Sequence, residues 1–199
     1  MKLNRTIAAL SGGMLLLLTG VAEAHPGHPG HGSFSGGFAH PFSGIDHILA
    51  MVAVGILAAR MGGRALWALP LTFISLMAGG GLLNLGGASV PGVEQGIAAS
   101  VLVLGLMLAS PAKMPLRVSA ALVALFAIFH GYAHVAEMRA GSTAGQYAIG
   151  FIAATALLHG AGIGIGTMCR KPAMGLWIRA AGAAMACCGL LLLMGAISA

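Results

Sequence analysis

The sequence predicts an all-α fold: a polytopic membrane bundle of six transmembrane helices behind a cleaved signal peptide. Three observations predict it. Of the 199 residues, 58% are apolar and only 7% charged, whereas a soluble globular chain carries about 25% charged residues. Six apolar runs follow one another, each near the ~20 residues needed to span a bilayer. Basic residues gather in alternate breaks between those runs, the pattern by which loop charge orients a membrane protein. A chain of this composition lacks the polar surface to cover itself in water, so lipid must be its solvent. Its 32 glycines agree, because small residues let membrane helices approach closely.

Residues 1–24 read as a secretory signal. Lys2 and Arg5 supply the positive start, Ile7 to Val21 the apolar stretch, and Ala22-Glu23-Ala24 a small-x-small cleavage site. The competing reading, an uncleaved first span, is weakened by the shortness of the stretch and its interruption at Ser11, Gly12 and Gly13. The mature chain then begins at His25. Residues 25–39 are rich in glycine, proline, serine and histidine and cannot bury a core, so they are expected to form a flexible external tail. Residues 40–199 make up the six-helix domain, with apolar segments at 42–59, 65–85, 94–110, 116–137, 146–168 and 174–197.

Charge orients this arrangement. A secretory signal leaves the mature N-terminus outside, in the periplasm of a bacterial inner membrane. The first, third and fifth segments then end inside, beside Arg60 and Arg64, Lys113 and Arg117, and Arg170, Lys171 and Arg179, while the outer loops carry Arg139 alone. Signal and loop charges are independent, and both give the same multi-pass topology. Three segments starting outside and three starting inside allow an inverted repeat, although the two halves show no sequence match. The net charge of +6 is dispersed among these breaks rather than gathered into a patch, so nucleic acid is not an expected partner. The three cysteines form no C-x-x-C pair, which argues against a disulfide framework or a thiolate zinc site. Association into a homo-oligomer is left open.

Ionisable groups inside a bilayer are costly and mark function by default. They fall in three segments. His40 precedes the first, with Asp46 and His47 about 7–10 Å below its start at 1.5 Å per residue. On the fourth, His130, His134 and Glu137 follow an i, i+4, i+7 spacing and share one face. The fourth segment runs outward, which places His134 roughly 6 Å and His130 roughly 12 Å below the outer surface, in the layer of Asp46 and His47. On the inward-running fifth segment, His159 lies about 20 Å down, with Thr155 one turn before it. Imidazole and carboxylate together are borderline ligands suited to Ni²⁺, Co²⁺, Zn²⁺ or Cu²⁺. Hydrogen bonding between helices competes with ligation for a lone histidine such as His159. Capping, or pairing with Arg139, competes with ligation for Glu137 at the membrane edge. Glu94, at the outer start of the third segment, suits a helix N-terminus.

The tail repeats histidine as His25, His28 and His31. Polyproline II has three residues per turn, so this period places all three on one side, where they can capture metal ahead of the selective site.

The element from His40 to Asp46-His47, followed by Leu49-Ala50-Met51 and Val54-Gly55, resembles the HupE/UreJ family of nickel/cobalt permeases. So do Phe129-His130-Gly131 through Ala133-His134 and the Leu158-His159-Gly160 element, together with the signal and the histidine-led mature N-terminus. The resemblance spans essentially the whole mature chain. It implies permeation of Ni²⁺ or Co²⁺ as substrate, with no prosthetic group, in support of nickel enzymes such as hydrogenase or urease. It also implies a path lined by His40, Asp46, His47, His130, His134 and His159. A permease is not an enzyme. The alternative is a membrane metalloenzyme using the same ligands to activate water, which needs an open metal position and a general base. Glu137 is the nearby candidate base, and no H-E-x-x-H stands in the sequence. A third reading, a haem-binding electron carrier, needs histidine pairs across the bundle.

Overall fold

The computed structural model describes residues 33–112, 114–138, 144–169 and 172–198. The signal region and the tail histidines His25, His28 and His31 lie outside these, as do Lys113, Arg139, Arg170 and Lys171. Each of the six apolar segments is a helix, and among the described residues there is no strand.

A short helix, α1 (Phe34–Ala39), comes first, its N-terminus capped by the Ser33 hydroxyl, which accepts from the Gly36 N–H at 3.3 Å. A 3-10 turn over His40–Phe42 follows, with Pro41 in its first turn. The chain then bends by 84° into α2 (Ile45–Met61). Helix α2 stops at Gly62, whose φ of 69° lies in the left-handed region that favours glycine. Next come α3 (Ala65–Leu85), α4 (Val93–Ala109), α5 (Leu116–Ala136), α6 (Ala144–Met168) and α7 (Pro172–Ser198). Pro115 immediately precedes α5 and Pro172 opens α7, positions where a missing N–H costs no helical bond.

Four of these helices, α3, α5, α6 and α7, are long and apolar enough to cross a membrane. Helix α2 qualifies together with α1 across the bend, and α4 is a shorter apolar helix of 17 residues. The chain is thus a multi-pass membrane protein. Leu71, Leu82, Trp67, Leu176, Trp177 and Ile197 stand exposed on its outer surface, where water would be a poor solvent for them.

One expectation is corrected. Residues 33–39 do not belong to a flexible tail: α1 is helical and docks on α6. A Cβ at Gly37 would strike the Tyr147 carbonyl oxygen, and one at Gly150 the Phe34 carbonyl oxygen. The glycines that read as disorder from composition are what let the two backbones touch.

The most extensive helix pairs are α4 with α7, α3 with α5 and α2 with α6. Exchanging the first three of these six helices for the last three maps α2–α6 onto α5–α3 and α4–α7 onto itself, so the pattern of pairing is two-fold. Gly131 on α5 packs directly on the Met77 carbonyl of α3, and Gly55 on α2 meets the His159 carbonyl of α6. Backbone contacts of this kind hold α3 against α5 and α2 against α6, around a core that includes Met51, Leu69, Phe73, Leu104 and Val123.

Candidate metal centre

The bend between α1 and α2 decides the centre. It turns His40 back over the end of the bundle while Asp46 and His47 stand in the first turn of α2, two and three residues beyond its Gly44 cap. Asp46 Oδ1 accepts twice from His47, from its backbone N–H at 2.8 Å and from its ring Nδ1 at 2.6 Å. The proton is therefore held on Nδ1 and the Nε2 lone pair is left free, the arrangement by which a carboxylate orients a metal-binding histidine. On α5, His130 Nδ1–H donates to the Phe126 carbonyl at 2.9 Å, which likewise leaves Nε2 as the lone-pair nitrogen.

The imidazoles meet in sequence. His40 Nε2 is 3.0 Å from Glu137 Oε2, and its ring centroid is 4.8 Å from that of His134. His134 is 4.4 Å from His47, and His47 is 5.1 Å from His130. One ligand atom from each of His40, His134 and Glu137 can be chosen so that all three lie within 4.8 Å of one another. The expected layer of Asp46, His47, His130 and His134 is thus brought together, and His40 and Glu137 join it. Glu137 pairs with His40, whose hydrogen bond holds its carboxyl below the usual glutamate range. The competing expectation had been Arg139, which lies outside the described residues.

His130, His134 and His159 are 0%, 3% and 1% exposed. Buried polar groups are nearly always hydrogen-bonded, yet six imidazole nitrogens here are not: Nε2 of His47 and His130, and both nitrogens of His134 and His159. The rings of His47, His130 and His134, each able to offer one lone pair and clustered with the carboxylates of Asp46 and Glu137, are suited to a divalent cation whose charge the carboxylates offset.

His159 stands apart from this cluster, across the ring of Phe73. Phe73, fully buried on α3, lies 5.6 Å from the His130 ring and 5.2 Å from the His159 ring. Thr155 does not join a ligand set; its hydroxyl donates to the Phe151 carbonyl at 2.9 Å. Sequence reasoning missed the aromatic wall. Phe151 is 4.1 Å from His134, and Tyr147 is 6.0 Å from His40. A signal existed: Tyr147, Phe151, Thr155 and His159 recur every four residues and form one buried stripe on α6. Glu94 opens α4, where an acidic side chain complements the helix dipole.

An apolar helical bundle that gathers imidazoles and carboxylates at one end, with His130 and His134 buried among them, defines a multi-pass membrane protein with a candidate metal site, and the chain belongs to the HupE/UreJ family. The family model described as "HupE / UreJ protein" matches residues 13–192. Among curated proteins, the chain is similar to "Protein HupE" of Rhizobium leguminosarum bv. viciae, 44% identical over 194 residues that cover 98% of each chain. No solved structure matches it.

Proposed function

We propose that this protein is a permease that carries Ni²⁺ or Co²⁺ across a bacterial inner membrane. In this reading residues 1–24 are removed as a signal peptide, α2 to α7 all span the bilayer, and the mature N-terminus faces the periplasm. His40, His134 and Glu137 receive the ion at the outer mouth. His47 and His130 take it deeper, with Asp46 acting on His47 from behind. His159, beyond Phe73, is the next stop. The histidines of residues 25–31 gather metal ahead of the mouth. In this reading the protein is a carrier rather than a catalyst, and Glu137, paired with His40 at 3.0 Å, serves as a ligand rather than as a general base.

The observation that supports this reading most is the run of contacts from Glu137 through His40, His134, His47 and His130, in which buried ring nitrogens have no hydrogen-bond partner. Conduction needs several sites, each weak enough to release its ion, and a file of shared histidines supplies them. The test is uptake of radioactive nickel by cells expressing the wild type, His134→Ala, or neither. Expression should raise uptake, and His134→Ala should return it to the level of cells lacking the protein. Wild-type uptake by His134→Ala, at equal protein level, would refute the path.

A further inference from the structure

At the end of the bundle opposite the histidines lies a cavity of about 610 Å³, walled by α2, α4, α6, α7 and the break between α4 and α5. Its apolar lining includes Leu57, Met61, Met107 and Ile178, and its charged lining is Arg60 and Arg179. The two guanidiniums converge on the end of α4. Arg60 donates to the carbonyls of Met107, Leu108 and Ser110 at 3.3, 2.7 and 2.9 Å, and Arg179 donates to that of Ala109 at 3.0 Å. Each guanidinium carries five N–H donors, so these four bonds engage only part of the pair.

Two fixed positive charges need an opposing charge, and the described residues do not provide it there. A helix C-terminus offers only about half an elementary negative charge. The sequence has four acidic side chains in all, and three of them stand at the other end of the bundle. Asp46 is about 21 Å from Arg60 along α2, and Glu94 about 22 Å from Ala109 along α4, at 1.5 Å per residue. Glu137 follows the far end of α5, about 30 Å along that helix from its start. The fourth, Glu23, falls in the signal region. Among the described residues, no acidic side chain lines the cavity.

We infer that the counter-charge is external and that this cavity binds the phosphate of an anionic phospholipid, with an acyl chain against Leu57, Met61, Met107 and Ile178. A bundle whose solvent is lipid meets such a phosphate at its membrane edge, and basic pockets between membrane helices are suited to it. Planar guanidiniums match phosphate oxygens two at a time. A divalent cation is the wrong occupant, because both arginines repel it. The inference does not rest on metal transport, only on the bundle lying in a bilayer.

The test offers the purified full-length protein, in detergent, equal amounts of phosphatidylglycerol and phosphatidylcholine, and reads the bound lipid by native mass spectrometry. The wild type should retain phosphatidylglycerol in preference. Arg179→Gln should weaken that retention about five-fold, the factor one basic residue contributes near an anionic surface. Arg179→Lys should retain more than Arg179→Gln. Arg64→Gln, which removes a charge just beyond the same end of α2 but outside the cavity lining, should bind as the wild type does. Because Arg60 also caps α4, the test rests on Arg179, and size-exclusion behaviour matched to the wild type establishes that the variant is folded. Equal retention of both lipids, or equal losses in Arg64→Gln and Arg179→Gln, would overturn the inference. Displacement of the bound lipid by millimolar inorganic phosphate would reassign the site to a soluble anion and overturn it too.

Discussion

Replacing Asp46 by asparagine changes one atom of the carboxylate and tests how His47 is made ready for metal. In the wild type a single oxygen, Oδ1, accepts from both the backbone and the ring of His47, which keeps the ring proton on Nδ1. An asparagine amide can present its N–H to Nδ1 instead. The ring proton then moves to Nε2, and the nitrogen that should meet the ion has no lone pair. Loss of an orienting partner of this kind costs about 10- to 100-fold in metal affinity, equivalent to about 1.4–2.7 kcal/mol. Titration calorimetry of Ni²⁺ into the purified protein reads this directly. Asp46→Asn should bind about 10- to 100-fold more weakly, and His47→Ala, which removes the nitrogen itself, at least as weakly. The double variant should lose little more than His47→Ala, because Asp46 acts through His47. Unchanged affinity in Asp46→Asn would refute the orienting role. A loss larger than that of His47→Ala would make Asp46 a ligand in its own right.

Four further outcomes are expected. His159→Ala should slow nickel uptake yet leave calorimetric binding at the outer cluster measurable, and unchanged uptake would return His159 to a packing role. Deleting residues 25–32 from the mature chain should lower uptake when metal is scarce and not at saturation, since a tethered ligand raises only local concentration; loss at every concentration would place the tail in the selective site. Gly131→Ala puts a methyl group into the Met77 carbonyl, so α3 and α5 must separate at a cost of about 1–3 kcal/mol, seen as a lower thermal midpoint in detergent; an unchanged midpoint would deny the close contact. Finally, the lowered Glu137 pKa means its contact with His40 favours the folded protein above the pKa of a free glutamate and is lost as pH falls through the depressed value. Infrared titration of the metal-free protein should show the carboxylate protonating at higher pH in His40→Ala than in the wild type, and identical titrations would refute the coupling.

Much of the centre was legible because it depends on local chain geometry. The rise of 1.5 Å per residue and the order of apolar segments place Asp46, His47, His130 and His134 at one depth, and the i, i+4, i+7 spacing puts His130, His134 and Glu137 on one face. No comparable rule says which way that face turns. In a water-soluble helix a polar side marks the outside, but α3 and α6 are apolar nearly all round, and lipid and core attract the same side chains. Hydropathy therefore could not reveal that Phe73 lies between His130 and His159, or that Tyr147 and Phe151 wall the histidines. Composition even pointed the wrong way at Ser33 to Ala39, where glycines that imply a loose tail instead admit α1 against α6. The sequence by itself determined the helices, the gathering of Asp46, His47, His130 and His134 at one end of them, and the chemistry those groups offer. Only the tertiary structure decided their partners: Glu137 with His40, His47 between His130 and His134, and Arg60 beside Arg179 at the end of α4. Those contacts join residues far apart in the chain, and they follow from how glycine-lined helix faces fit together, a property that no single segment contains.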